Sequence, residues 1–341
     1  MSDKIGVVTI GRNEGERLIR CFQSLQAQLP PAMPIVYVDS GSTDDSVEKA
    51  QRMGIDVVNL DMSVPFTMPR GRNTGFQHLL SHYPDLEFVQ FIDGDCELLP
   101  NWLETALEFI KHDPQLAVVC GRRRERFPDR SPYNRLAEME WNTPIGEAEA
   151  CGGDALMRVA AIKAVGGYNA AMICGEEPEM CIRLRRQGWR IWRIDADMTL
   201  HDAAMLQFGQ WWKRSIRGGW AIAEGYAMYG HSPEQYMRQE YKSGWLWGLI
   251  IPTLALALAL PTRGVSLLLL LAYSLLGVKI YRYRAQVYLD PPDNARLYAV
   301  YCTVSKFPQM IGQSKYWLNR MQNKPATLIE YKQSTTAPPT S

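Results

Sequence analysis

Residues 88–98 read FVQFIDGDCEL. The first five are aromatic, β-branched or amide side chains in a run of strand length, and the run stops at Asp93-Gly94-Asp95. Two carboxylates separated by one small residue suit a hard divalent cation with oxygen ligands, bound jointly with phosphates. By itself the pattern is weak, because a chain of this size yields about one Asp-x-Asp by chance. A second one, Asp195-Ala196-Asp197, also follows a strand-like run. The weight of the first therefore rests on what precedes it.

Working outward, residues 5–10, 35–38 and 55–60 read as three earlier buried strands. Between them, residues 14–28 carry Leu18, Ile19, Phe22 and Leu25 at helical spacing, and residues 46–53 and 72–81 read as further helices. Residues 101–111 follow with Asn101 and Glu104 in a capping-box pattern. Strands alternating with helices at this spacing imply a mostly parallel sheet with helices on both faces. Ligands of such sheets sit beyond the carboxyl ends of the strands. Asp93-Gly94-Asp95 occupies that place in the fourth unit. Farther on, residues 121–150 read as irregular, 155–165 and 179–187 as helices, and 189–194 as a strand.

The other strand ends carry polar groups too. After the first comes Thr9-Ile10-Gly11-Arg12-Asn13-Glu14, without the GxGxxG of hydride-transfer folds. After the second comes Asp39-Ser40-Gly41-Ser42, where the aspartate can meet a base or ribose, or simply close its own turn. Gly175-Glu176-Glu177-Pro178-Glu179 opens a helix, whose dipole stabilises carboxylates there. One of them can equally serve as a general base. His201-Asp202 follows the strand at 189–194, and Gln210-Trp211-Trp212-Lys213-Arg214 with Arg217 sets cations beside aromatic rings. The arginines at 122–126 suit an acceptor phosphate, an anionic lipid or a solvated edge.

Composition sets outer bounds. The 341 residues carry a formal net charge of +1, so no global field draws the chain to nucleic acid. The seven cysteines are scattered, odd in number and without a CxxC pair, which fits small buried residues in a reducing compartment. The N-terminus lacks the features of a signal peptide. Residues 244–260 and 264–278 are apolar and uncharged, each roughly 15–17 residues long, at the short end of a membrane span. Arg238 and Lys242 precede the pair; Lys279, Arg282 and Arg284 follow it. Positive residues at both outer ends place both on the cytoplasmic side of an inner-membrane hairpin. A re-entrant pair and a pair of buried helices are the alternatives. Aromatic and basic residues after 285 look interfacial, and the Ser/Thr/Pro-rich end looks disordered.

In order, VVTIGRNE, VDSGSTDDS, GRNTGF, FIDGDCEL, GGDALMR, AVGGYN, GEEPEMCIRLRRQGWRI and LHDA resemble the family 2 glycosyltransferases with the GT-A fold, over about residues 4–220. The resemblance implies an α/β GT-A domain over residues 1–225. The reading is completed by a linker at 226–243, a transmembrane helical hairpin at 244–282 and an interfacial tail at 283–341. It implies that Thr9, Gly11, Asn13, Glu14, Asp39, Arg72 and Asp93 bind the donor nucleotide. It implies a divalent cation, Mn²⁺ or Mg²⁺, on Asp95 and His201 with Asp93 beside it. Glu177, with Glu176, falls at the family's catalytic carboxylate; Arg214, Arg217 and Trp211 fall where diphosphate or acceptor is met. Three positions depart from the pattern: Glu177 where aspartate is usual, Ser40 where a second aspartate is common, and no Gln-x-x-Arg-Trp signature of processive synthases. The implied reaction is an inverting transfer from a nucleotide sugar, UDP-linked as in most of the family, to a lipid-linked or polysaccharide acceptor at the membrane. A nucleotidyltransferase or a non-catalytic nucleotide-sugar-binding protein is the competing class.

Overall fold

The computed structural model describes residues 4–30, 33–324 and 327–330. They form two compact units, one built from the chain up to Pro128 together with Ala137–Ala204, the other from Asp129–Leu136 together with the chain from Met205. The expected domain end at 225 thus falls inside a helix of the second unit. The expected disorder beyond residue 330 lies outside the described residues.

The first unit begins β1 (Ile5–Gly11), α1 (Glu16–Gln28), β2 (Ile35–Asp39), α2 (Ser46–Arg52), β3 (Asp56–Asn59), α3 (Met68–His82) and β4 (Phe88–Asp93). It continues β5 (Cys96–Leu98), α4 (Trp102–His112), β6 (Leu116–Glu125), α5 (Pro132–Glu140), β7 (Gly146–Glu147), β8 (Ala155–Arg158), α6 (Val159–Val165), α7 (Glu176–Arg186) and β9 (Arg190–His201). The first residues of α5 group with the second unit. The strand order is β3-β2-β1-β4-β8-β6-β9-β5, with β7 added on β9. β3, β2, β1 and β4 are parallel neighbours, whereas β8 runs antiparallel to both β4 and β6. β1 is buried along nearly its whole length, which is why it reads as an unbroken apolar run and not as an alternating one. α1 packs Leu18, Cys21, Phe22 and Leu25 into the core at helical spacing, Cys21 taking the place expected of Ile19.

Several local expectations change. Residues 155–165 are not one helix: residues 155–158 are β8, laddered on both sides by Phe88–Phe91 and by Val118 and Val119, and α6 begins only afterwards. Tertiary pairing overrides the helix propensity of Ala-Leu-Met. Residues 121–150 are not irregular either. β6 runs through to Glu125, its arginines breaking the apolar pattern, with register shifts around Arg122, and α5 follows. Asn101 does not cap α4: it takes the left-handed conformation (φ 66°) and its side chain makes no cap bond. α3 starts four residues earlier than its periodicity suggests, at a Thr67 cap with Pro69 in the first turn. Six of the cysteines are buried, and none of the seven is in a disulfide.

The second unit holds α8 (Phe208–Tyr229), α9 (Arg238–Trp245), α10 (Ile251–Ala257), α11 (Ala272–Val287), α12 (Pro292–Val304) and α13 (Lys306–Met321). Within the tail expected to be interfacial, residues 292–321 form the helices α12 and α13. α8 and α13 cross closely because glycines face each other's backbone: a Cβ on Gly219 would lie 2.1 Å from the Gln309 carbonyl oxygen, and one on Gly312 2.0 Å from that of Ile216. Residues 246–257 and 265–287 are the arms of a helical hairpin turned at Arg263 and Gly264, both with positive φ. Ser266 Oγ donates to the Ala255 carbonyl across it (2.7 Å). Among the described residues one helical stretch, Val265–Val287, is long and apolar enough to cross a membrane. A two-span hairpin is thus not established by length and composition.

Candidate active site

Strand register assembles one half of the site. β5 and β9 pair antiparallel with Cys96 opposite His201, so Asp95, one residue before Cys96, lies beside the imidazole. His201 Nε2 and Asp95 Oδ2 are 3.1 Å apart, and both residues are buried. This turn follows β4, whose last residue is Asp93.

Arg72 of α3 assembles the other half. Its guanidinium is buried and reaches Asp93 Oδ1 (2.9 Å), Glu176 Oε1 (2.7 Å) and Glu177 Oε1 (3.0 Å). Burial opposes its charge, but Glu177, Asp93 and Glu176 outweigh that, and the group is held well above its ordinary value. Glu176 and Glu177 stand in the first turn of α7, where the helix dipole favours carboxylates. Burial and the neighbouring Glu176 nevertheless push the Glu177 carboxyl up to about 7, against the pull of Arg72. The residues between β7 and β8 pass close by: a Cβ on Gly153 would lie 2.4 Å from Arg72 Nη2, 3.0 Å from Asp93 Oδ2 and 3.2 Å from Glu177 Oε1.

Two residues that sequence reasoning missed, Asp154 and Glu125, complete the cluster together with Arg123 of the arginine run at 122–126. Asp154, wholly buried, accepts the backbone N–H of Asp93 (3.0 Å) and the hydroxyl of Thr199 (2.7 Å). Arg123 pairs with Asp154 (2.7 Å) and reaches the second oxygen of Asp93 (3.3 Å). Glu125, also buried, is the last residue of β6 and stands opposite His201 of β9. The one available signal was the GGD before β8: two glycines leave room for neighbours, and a carboxylate entering a buried strand requires partners. The other arginines at 122–126 do not form an open anion-binding patch. Arg122 and Arg124 share Glu138, Arg124 also meets Asp197, and Arg126 pairs with Glu97. The second Asp-x-Asp stands apart, with Asp195 exposed and Asp197 taken by Arg124.

The expected nucleotide-site residues line the ends of β1 and β2. Asp39 spends its carboxylate on its own turn, accepting from Tyr37 Oη (2.8 Å), the N–H groups of Gly41 (2.9 Å) and Ser42 (2.8 Å), and Ser42 Oγ (2.5 Å). The turn-closing reading therefore describes it as it stands. Asn13 ties the two loops together, accepting from Thr43 N–H (2.7 Å) while its own N–H donates to Ser42 Oγ (2.9 Å). Glu14 pairs with Arg17 (2.9 Å), Thr9 is buried in β1, and a Cβ on Gly11 would meet Glu14 at 3.1 Å. Arg214, Arg217 and Trp211 belong to α8 in the second unit. Trp211 is buried there against Tyr133 and Tyr301, a packing position and not an open platform.

The residues fit a divalent cation. Asp95, Cys96 and His201 offer ligand atoms within 4.8 Å of one another. Burial holds the Cys96 thiol protonated, which leaves one carboxylate oxygen and one imidazole nitrogen, a mixed pair that a divalent transition ion such as Mn²⁺ can take together with phosphate oxygens. Around them Asp93, Asp95, Asp154, Glu176 and Glu177 outnumber the two guanidiniums of Arg72 and Arg123, an excess of negative charge that a cation offsets.

The strand ends of this α/β sheet thus gather carboxylates around two arginines, with a carboxylate at a helix start raised toward neutral pH. Residues 6–166 match the family model of glycosyl transferase family 2. The chain is 43% identical over 205 residues to the succinoglycan biosynthesis protein ExoA of Rhizobium meliloti, a match covering 57% of this chain and 62% of that one. It is 27% identical over 214 residues to the pre-mycofactocin glycosyltransferase of Mycobacterium tuberculosis, covering 58% and 42%. The chain thus spans less than two thirds of each relative. Among solved structures, the mannosyltransferase PcManGT of Pyrobaculum calidifontis, in complex with GDP-Man and Mn²⁺, shares the fold: TM-score 0.60, 17% identity, covering 94% of this chain and 90% of that one.

Proposed function

We propose that this protein is an inverting glycosyltransferase that moves a sugar from a nucleotide diphosphate sugar, UDP-linked, to a hydroxyl of a lipid-linked or polysaccharide acceptor. The observation that carries the reading is Glu177. Its carboxyl is pushed up to about 7 and it touches the arginine that also holds Asp93. A base with that affinity is about half ionised at neutral pH, yet still takes a proton as the hydroxyl attacks. Glu176, more deeply buried on the same guanidinium, keeps Arg72 in place and raises its neighbour's proton affinity. Asp95 and His201 would hold Mn²⁺ or Mg²⁺, which supplies positive charge opposite the leaving diphosphate. Arg72 and Arg123 fix Asp93 from both sides, so the donor meets a preorganised carboxylate. The named roles of the succinoglycan and mannosyl-transferring relatives support a glycan-building reaction.

The catalytic unit is proposed to work at the cytoplasmic face of the inner membrane. The hairpin presents Leu256, Leu260, Leu268, Leu271 and Leu275 outward, each more than 60% exposed, and its outer ends carry Arg238, Lys242, Lys279 and Arg282. An apolar surface of that extent flanked by cations suits lipid with cytoplasmic headgroups.

The test incubates the purified full chain with UDP- and GDP-sugars, with and without Mn²⁺ or Mg²⁺, and measures free nucleoside diphosphate. Metal-dependent release is expected, abolished in Glu177→Gln while donor binding persists. Wild-type turnover in Glu177→Gln removes it from the base role. Pyrophosphate released from a nucleoside triphosphate would replace the reading with nucleotidyl transfer. Donor binding with no release would leave a non-catalytic binding protein.

A further inference from the structure

We infer that Glu125 is a positioning residue for His201: it accepts the imidazole proton at Nδ1 and so keeps Nε2 open toward a metal ion. The inference rests on the reading that Asp95 and His201 hold the cation. The arrangement comes from strand register. On β9, His201 stands opposite Glu125 of β6 on one side and Cys96 of β5 on the other, with Asp95 next to Cys96. Carboxylate, imidazole and carboxylate therefore form a row across three strands. Nε2 is 3.1 Å from Asp95 Oδ2, and Nδ1 is 3.8 Å from Glu125 Oε2. Both side chains are buried, and Nδ1 has no hydrogen-bond partner.

A neutral imidazole carries one N–H. If Nε2 carries it, Asp95 accepts it, but Nδ1 becomes a buried acceptor with nothing to accept. If Nδ1 carries it, Glu125 is the carboxylate on that side, and the Nε2 lone pair faces Asp95. Two electron-rich atoms facing each other call for a cation between them. An ion and Glu125 therefore favour the same tautomer, and each strengthens the other. Closing the gap to a hydrogen bond of about 3 Å takes a shift of less than about 1 Å. Glu125 is well held for the task, because its two oxygens accept the N–H groups of Phe127 (3.1 Å) and Ala203 (3.0 Å). Trp141, packed edge-to-face on the imidazole at 4.8 Å, limits ring tilt.

The experiment measures Mn²⁺ affinity by the electron paramagnetic resonance of free Mn²⁺, for the full-length protein and for Glu125→Gln and His201→Ala. It also records ¹⁵N spectra of histidine-labelled protein loaded with Mg²⁺; the chain has five histidines. Glu125→Gln is expected to weaken Mn²⁺ binding roughly tenfold to hundredfold, and the wild-type His201 to show its proton on Nδ1. A purely structural Glu125 would lower thermal stability but leave the tautomer and Mn²⁺ affinity alone, and that result overturns the inference. Should Glu125→Gln fail to fold, the wild-type spectrum decides, since an Nε2–H in the Mg²⁺-loaded protein is equally fatal. Unchanged Mn²⁺ binding by His201→Ala overturns the metal site itself, a separate failure.

Discussion

Adding one methyl group at Gly153 tests the centre of the site. Its Cβ would lie 2.4 Å from Arg72 Nη2, about 1 Å inside ordinary contact, and 3.0 Å from Asp93 Oδ2. Long side chains usually swing away from such a clash, but Arg72 is buried and pinned by three carboxylates. The guanidinium must retreat by about 1 Å, which stretches its 2.9 Å bond to Asp93 and its 3.0 Å contact with Glu177 beyond hydrogen-bond range. Each charged hydrogen bond is worth about 1.5–3 kcal/mol. Loss of one in the transition state slows kcat about tenfold to hundredfold. The retreat also carries a pH signature. Arg72 lowers the Glu177 pKa, so its withdrawal moves the acid limb of the rate profile above about 7. Gly152→Ala is the control, because a Cβ there meets nothing within 4 Å. The assay is nucleoside diphosphate release between pH 5 and 9, roughly the range over which such a carboxyl titrates. A Gly153→Ala enzyme with wild-type kcat and an unmoved acid limb would refute the arrangement around Arg72.

Further outcomes follow from the same contacts. In the wild-type enzyme kcat should rise with pH through about 7 as Glu177 ionises. The stability sign is opposite: the folded-state pKa lies above the unfolded value of 4.5, so the contribution is full below that value. It is lost as pH rises through 7, which a denaturant midpoint of metal-free protein would register. Asp154→Ala strips a buried partner from Arg123 and should cost about 3–5 kcal/mol in urea unfolding; a cost under 1 kcal/mol, on the order of a surface change, contradicts the network. Replacing Leu256, Leu268 and Leu271 by lysine, at about 2.5–3.5 kcal/mol each for a bilayer-centre position, should move the protein from the membrane fraction to the supernatant. Unchanged fractionation argues against lipid at the hairpin.

What the sequence disclosed depended on how far apart the partners lie. The parallel half of the sheet was legible because strands buried on both faces are continuous apolar runs, and their ends mark themselves with Asp39 and Asp93. Asp95 stood out just after a strand, where ligands of such sheets gather, Glu177 as a carboxylate at a helix start, and His201 as a lone imidazole beyond a strand-like run. The antiparallel half was obscured. β8 is four residues of good helix formers and becomes a strand only through neighbours on both sides. The arginines that interrupt β6 look like a solvated or anion-binding run, yet each meets a carboxylate contributed by another element. Asp154 and Glu125 acquire meaning only from residues in strands far away in sequence, which no local pattern carries. Asp39 shows the converse: its motif was plain, but Tyr37, Gly41 and Ser42 already occupy its acceptor positions, so a nucleotide base has to displace some of them.

The way buried charge is distributed explains how the site keeps its geometry. A buried carboxylate is tolerable only with a partner, and removing either member of such a pair costs more than the pair itself contributes. Arg72 meets this demand for Asp93, Glu176 and Glu177 at once, drawn from the end of β4 and the start of α7. Asp154 does the same among β4, β6 and β9 through Asp93 N–H, Arg123 and Thr199. Because Asp93 belongs to both groups, displacing the proposed base disturbs the metal-side strands, and the reverse. In the proposed reaction, taking a proton from the acceptor and balancing the leaving diphosphate are then coupled through a single carboxylate. On that argument Asp93 serves chiefly as the joint between two guanidiniums, and Asp95 with His201 is left as the pair facing the proposed ion.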